Sequence, residues 1–303
     1  MTKTSKSDIQ QTITDRLISI MEKGELPWSC PWQRDGDHPM PYNFGTKAGY
    51  NGINILLLWS ELMEKSYSCN GWLTFKQASE LGGKVIKGET STKIIYFQMV
   101  ERRRQKNSDD PVFYPMLRQF NVFNLDQIEG IHMERKPFVP LDVEDEKALN
   151  AFNHRIDQYC INTGLTVKHK GQQAYYSPAV DLIKMPQFER FNSQSDYLAT
   201  YTHELIHSTG HKTRLDRFDA DSGSFNVKRE AYAFEELVAE LGSAFLCGEF
   251  GINGQHEQHA SYLQFWLQHL KDDKSFIFKA AAKASKASEF FLAQSLSELE
   301  EVA

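Results

Sequence analysis

The sequence predicts an α+β protein in two domains, a small mixed domain over residues 1–142 and a second over residues 143–303. Strand-like runs such as Lys93-Ile-Ile-Tyr-Phe and Met116-Leu-Arg-Gln-Phe-Asn-Val-Phe-Asn lie among short helical segments in the front, and long helical repeats dominate the back. Between them, Ile131 to Leu141 carries Pro137 and Pro140 and reads as a linker, which puts the boundary near residue 142. Charge divides in the same place. Residues 1–140 hold 18 Lys and Arg against 16 Asp and Glu, so of the chain totals of 34 and 40 there remain 16 against 24 behind them. At 303 residues, 41% hydrophobic and 12% aromatic, the chain is long enough and apolar enough for two globular cores.

The elements follow in order. Asp8 to Lys23 repeats apolar residues at Ile9, Ile13, Leu17, Ile18 and Met21, the pattern of an amphipathic helix, with Ser7 or Asp8 to cap it and Gly24 to end it. Leu26-Pro-Trp-Ser-Cys-Pro-Trp is a loop by its breakers, although an apolar one. Gly49-Tyr-Asn-Gly-Ile-Asn leads into a helix over Ile53 to Glu64, and Trp72-Leu-Thr-Phe-Lys-Gln begins another. Lys84-Val-Ile-Lys-Gly-Glu and Lys93-Ile-Ile-Tyr-Phe read as two strands around a turn at Gly88. The charged run from Glu101 to Asp110 reads as an exposed hairpin tip or loop.

In the front half, aromatic residues alternate with cations. Trp28, Trp32, Tyr42, Phe44, Tyr50 and Trp72 stand among Lys47, Lys76, Lys84 and Lys87. Single-stranded nucleic acid needs such a set, because any base stacks on a ring while cations follow the phosphates. The competing reading places these rings in a core, and a net charge of only +2 lacks the basic footprint of an obvious nucleic-acid binder.

Behind the boundary, Glu144 to Asn162 forms a helix with Leu149, Phe152, Ile156 and Tyr159 on one side. Val167-Lys-His-Lys makes a short strand, and Gln173 to Pro178 with Val180 to Pro186 make a hairpin directly before the next helix. Gln258 to His269 and Asp273 to Leu292 are helical.

That next helix carries the chemistry. Thr202-His-Glu-Leu-Ile-His-Ser-Thr-Gly-His places His203 and His207 four residues apart, one turn from each other on one face, where they can share a metal ion. Glu204 then stands beside the metal and can take a proton from water, the logic of the His-Glu-x-x-His arrangement. Leu198, Tyr201, Leu205 and Ile206 give the helix an apolar side, and Gly210 can end it in a left-handed cap. The third histidine that a metzincin places six residues further on is missing, because that position is Thr213.

The third ligand is therefore sought on the helix from Arg229 to Cys247. Phe234, Leu237, Val238, Leu241 and Phe245 line one side, and Glu236, Ala239 and Ser243 line another whose small residues admit a close neighbour. Glu236 is the expected ligand, with Glu240 one turn on to support a ligating histidine, while Glu240 and Glu235 remain as alternatives. Zinc suits such a site, as does another divalent ion such as manganese.

No apolar run long enough to span a membrane occurs, and the polar start from Met1 to Ser7 is no secretory signal, so no membrane partner and a cytoplasmic location are expected. Cys30, Cys69, Cys160 and Cys247 are far apart and read as free thiols.

The chain resembles the ArdC-type antirestriction proteins of conjugative plasmids and related mobile elements over nearly its whole length. The likeness rests on Leu26-Pro-Trp, Pro31-Trp, Tyr50-Asn-Gly-Ile-Asn, Trp72-Leu-Thr-Phe-Lys-Gln and Lys87-Gly-Glu in front. Behind, it rests on the His203 to His211 run, Arg214-Leu, Glu235-Glu-Leu-Val-Ala-Glu-Leu and Leu270-Lys-Asp-Asp-Lys. It implies a single-stranded-DNA-binding domain, related to one in plasmid primases, fused to a zincin-like metallopeptidase domain, with a role in shielding incoming plasmid DNA from host restriction. Carried over, His203, His207 and Glu236 become metal ligands and Glu204 the catalytic carboxylate. The DNA contacts are expected among Trp28, Trp32, Tyr50, Asn54, Trp72, Lys84 and Lys87. Two further readings stand beside protection by DNA binding: a DNA-directed metalloprotease acting on a host restriction protein, or a non-catalytic metal domain closed by His211 as a fourth ligand.

Overall fold

The computed structural model describes residues 8–28, 40–101, 113–131, 146–218, 225–252 and 259–296. Helix α1 (Ile9–Met21) begins where the Asp8 carboxylate accepts the Gln11 N–H at 3.2 Å. Its apolar stripe of Ile13, Leu17, Ile18 and Met21 is buried. Strand β1 (Tyr42–Asn43) leads to α2 (Ile53–Lys65), whose residues Ile55 to Leu62 are buried without interruption. A helix apolar on every side belongs inside a protein.

Two expectations about the front half are corrected. Trp72 does not begin a helix. Gly71 to Thr74 form strand β2, and Thr74 then caps α3 (Phe75–Glu80) in a reciprocal capping box with Gln77. Nor do the runs around Gly88 pair with each other. Strand β3 (Lys84–Val85) joins β6 (Ile128–Glu129), whereas β4 (Thr92–Glu101) pairs along ten residues with β5 (Phe113–Asn124). Gly88, at φ 97°, turns the chain from one sheet into the other because β5 offers β4 a far longer ladder than β3 could. The main sheet runs β1-β2-β5-β4. The basic part of the charged run, with the linker of residues 132–141 and the boundary at 142, lies outside the described residues.

Helix α4 (Glu146–Thr163) opens the back half, followed by β7 (Thr166–His169), β8 (Tyr175–Ser177) and β9 (Leu182–Met185). The predicted hairpin exists, with β8 antiparallel to β9, but β9 also pairs in parallel with β7. The order β7-β9-β8 makes β8 the edge nearest the site. Arg214 locks this corner: it bonds the carbonyls of Ser208 and Thr163 and forms an ion pair with Asp181 in the turn between β8 and β9.

Helices α5 (Gln194–Ser208) and α6 (Phe225–Phe250) then pack side by side, with Thr202 Oγ1 2.7 Å from Ser243 Oγ. A Cβ on Gly242 would lie 2.8 Å from Ile206, so the close approach requires glycine there. Helices α7 (His259–Asp272) and α8 (Phe276–Gln294) complete the fold.

The largest apolar cluster crosses residue 142. Ile13, Leu17, Ile55, Leu56 and Trp59 pack with Leu237, Val238, Leu241, Phe245, Trp266 and Ile277, and Trp28 meets Trp266 edge-on at 5.8 Å. Full burial of one such side chain stabilises by about 1.5–3 kcal/mol, so the front half helps to hold α6 in its orientation. A second cluster joins α4, β9, α5, α6 and α8. Cys69, Cys160 and Cys247 are free thiols. Among the described residues, no helix is long and apolar enough to cross a membrane.

Candidate metal centre

Ser193 caps α5 by accepting the Asp196 N–H at 3.0 Å, and the helix runs unbroken to Ser208. Its four-residue repeat brings the Nε2 atoms of His203 and His207 within 3.1 Å of each other. Glu236 faces both, with its two oxygens 3.5 Å from the two Nε2 atoms. One ligand atom from each of the three residues fits within 4.8 Å.

The outer nitrogens are occupied as well. His203 Nδ1 faces Glu240 at 3.7 Å and His207 Nδ1 faces Glu235 at 3.5 Å. A carboxylate at each Nδ1 favours the proton there and leaves the Nε2 lone pairs pointing inward, as metal-binding histidines require. The residues therefore fit a divalent metal, with Glu236 on the inner side and Glu235 and Glu240 behind the imidazoles. Gly210 does not adopt the expected left-handed cap: its φ is not positive, and a Cβ there would lie 2.8 Å from the Phe218 ring.

The charges are strongly coupled. Burial would lower the His207 pKa, but Glu235, Glu236 and Glu204 outweigh it and raise it to about 10. At His203 burial and the neighbouring His207 also oppose Glu236, Glu240 and Glu204, and the net shift is again upward. Burial would raise the Glu236 carboxyl, but the two histidines hold it well below the usual carboxylate range.

Sequence reasoning assigned no role to three contributors. Arg217, 4% exposed at its side chain, grips Glu235 through Nε at 3.1 Å and Nη2 at 2.6 Å while donating to the Ile206 carbonyl at 2.8 Å. It thereby fixes the carboxylate that faces His207. Tyr232, one turn before Glu236 and 58% exposed, has its phenol pKa pushed up by desolvation together with Tyr262 and Glu236. Arg214 ties β8 to the end of α5. No spacing rule links Arg217 to Glu235, since they meet only when the loop after α5 folds back over α6.

One side of the cluster is open. A cleft of about 610 Å³ is lined by His203, Glu204, Glu240, Gln173, Tyr175 and Phe191 among others. Glu204, 7% exposed, is part of its lining. His211 stays out of the cluster, its Nδ1 lying 2.8 Å from Thr213 Oγ1.

The front-half candidates scatter. Trp72 is fully buried against Tyr67 and Trp28 is 4% exposed, so both fill the core and neither can receive a base. Burying so large a ring favours this outcome wherever the fold permits it. Tyr50 is half-buried against the cluster of Leu58, Trp72 and Ile94. The Asn54 amide is spent on the β4 edge, giving to the Ile95 carbonyl at 2.8 Å and accepting its N–H at 2.9 Å. Lys84 and Lys87 are exposed, and Trp32 lies outside the described residues.

Residues 7–123 match the model of the N-terminal domain of anti-restriction factor ArdC, and residues 154–283 match that of a zincin-like metallopeptidase. The crystal structure of the metal-free antirestriction ArdC protein from plasmid R388 superposes with a TM-score of 0.79 at 37% identity, over 95% of this chain and 98% of that one. The chain belongs to the ArdC antirestriction family. The Mn(II)-bound structure of the same relative gives 0.78 at 37% identity, over 96% and 99%. A relative from Sinorhizobium fredii, y4eC, is 32% identical over 97% of this chain and 94% of its own length. A DNA primase TraC of Escherichia coli is 34% identical over 95% of this chain, but the match spans only 20% of the primase.

Proposed function

We propose that this chain binds single-stranded DNA and protects incoming conjugative plasmid DNA from host restriction, and that its metal centre holds zinc and cleaves a peptide bond in a protein of the restriction system. The observation that carries the peptidase reading is Glu204 lining an open cleft together with His203, whose Nε2 converges with that of His207. A divalent ion held by His203, His207 and Glu236 would lower the pKa of water and polarise a carbonyl. Glu204 takes the proton of the attacking water as the new C–O bond forms and delivers it to the amine as the C–N bond breaks. Strand β8, the sheet edge lining the cleft at Tyr175, offers backbone groups to an extended peptide. Strand β9 is paired on both sides and has no free edge for this role.

The test is plasmid survival on conjugation into a restricting host, with the donor supplying wild type or Glu204→Gln at equal levels. Because the two halves share a core, the full chain is used. Loss of protection with unchanged affinity for an oligo-dT strand makes the chain a peptidase in this pathway. Full protection by Glu204→Gln removes proteolysis from the reading and leaves DNA binding to do the work.

A further inference from the structure

The outer half of the β4–β5 ribbon is built unlike the rest of the main sheet. Strand β2 pairs with β5 only at Val122 to Asn124, so beyond that point the two strands continue as a ribbon. Val122 and Ile94 are the last buried residues on one face. Further out on that face, rings turn to solvent: Tyr96 is 56% and Phe120 42% exposed, with centroids 6.5 Å apart at 75°. Arg118 is cross-strand from Tyr96, is exposed, and makes no ion pair among the described residues.

We infer that Tyr96, Phe120 and Arg118 form the stacking platform for single-stranded DNA, an inference that rests on the single-strand reading above. The ribbon packs on the core through Ile95 and Leu117 of its opposite face, the exposed ring pair lies outside that contact, and every base presents a π face to such rings. The charge is complementary: this face carries Arg118, and residues 92–97 and 116–121 contain no carboxylate. Arg118 is placed to meet a phosphate, or to lie against a base plane, while Tyr96 and Phe120 take the bases. A purely structural account has the two rings holding the strands together as a diagonal pair, and that account assigns no role to Arg118.

Anisotropy of a labelled oligo-dT strand with the full-length protein tests this, using wild type, the double variant Tyr96→Leu/Phe120→Leu and Arg118→Gln, each melted to check folding. Leucine keeps the apolar contact and removes the ring face. The expected result is at least about tenfold weaker binding by the double variant at an unchanged melting temperature. Arg118→Gln should lower the slope of log affinity against log salt by about 0.7, the value of one single-strand phosphate contact. A double variant that melts normally and binds like wild type overturns the platform, leaves the single-strand reading intact and makes the ribbon a surface for protein. Failure of wild type to bind overturns both. Should the double variant not fold, ultraviolet cross-linking of a 5-bromodeoxyuridine strand to wild type decides the matter: adducts on Tyr96 or Phe120 support the platform, and adducts confined to other residues overturn it.

Discussion

The metal cleft and the main sheet put their polar and aromatic residues to opposite uses. In the cleft, five buried or half-buried charged side chains converge, and every imidazole nitrogen faces a named partner. Around the sheet, two of the rings that composition offered for binding, Trp28 and Trp72, are packed into the core, and Tyr96 and Phe120 stand outside. The difference is one of range. Helical spacing puts His203 beside His207 whatever the rest of the chain does, whereas the burial of a tryptophan depends on which elements arrive to cover it.

The sharpest way to break this contrast is to treat a core ring as a binding residue. Trp72→Ala should destabilise the protein by about 3–5 kcal/mol in guanidinium unfolding, as the loss of a fully buried aromatic does. Lys84→Ala, on the surface, should stay within about 0.5 kcal/mol. Equal, small effects for both would return Trp72 to the surface and undo the comparison.

Within the cleft, the expected effects grade outward. His207→Ala should weaken calorimetric affinity for Zn²⁺ or Mn²⁺ by more than about a hundredfold, exceeding what supporting residues contribute. Glu235→Gln and Arg217→Gln, which act through His207, should each cost about 10- to 100-fold in the same titration. A ligand variant no worse than these would mean that the histidines do not hold the ion.

Proton competition supplies the most continuous effect. The folded His207 pKa is about 10 against an ordinary 6.5, so in the metal-free protein its stabilising contribution is complete below 6.5 and is lost as pH rises through 10. Glu236 and Glu235 are lowered from 4.5, so theirs is present above 4.5 and is lost on acidification. Unfolding of the metal-free chain should accordingly show this cluster contributing most between about 4.5 and 6.5. Metal affinity should rise with pH over 6.5 to 10, by up to about tenfold per unit for each proton displaced. An affinity independent of pH in that window would show that no cluster proton is displaced.

What the amino-acid order determines by itself is local: the 3.6-residue period of α5 and α6, the pairing of His203 with His207, Glu204 next to them, Asp8 as a cap, and β8 with β9 as a hairpin. Each follows from neighbours within a few residues. Tertiary structure alone decided which of Glu235, Glu236 and Glu240 faces the Nε2 atoms, because that depends on the rotation of α6 about its axis. The rotation is set by Leu237, Val238, Leu241 and Phe245 packing into an apolar cluster shared with α7 and α8 and, from the other half of the chain, with α1 and α2. The same cause separated Trp72 and Trp28 from Tyr96 and Phe120. All four are aromatic residues in similar surroundings of sequence, but only the first two have elements packed over them, and the free energy of burying apolar surface is realised only where another surface covers it.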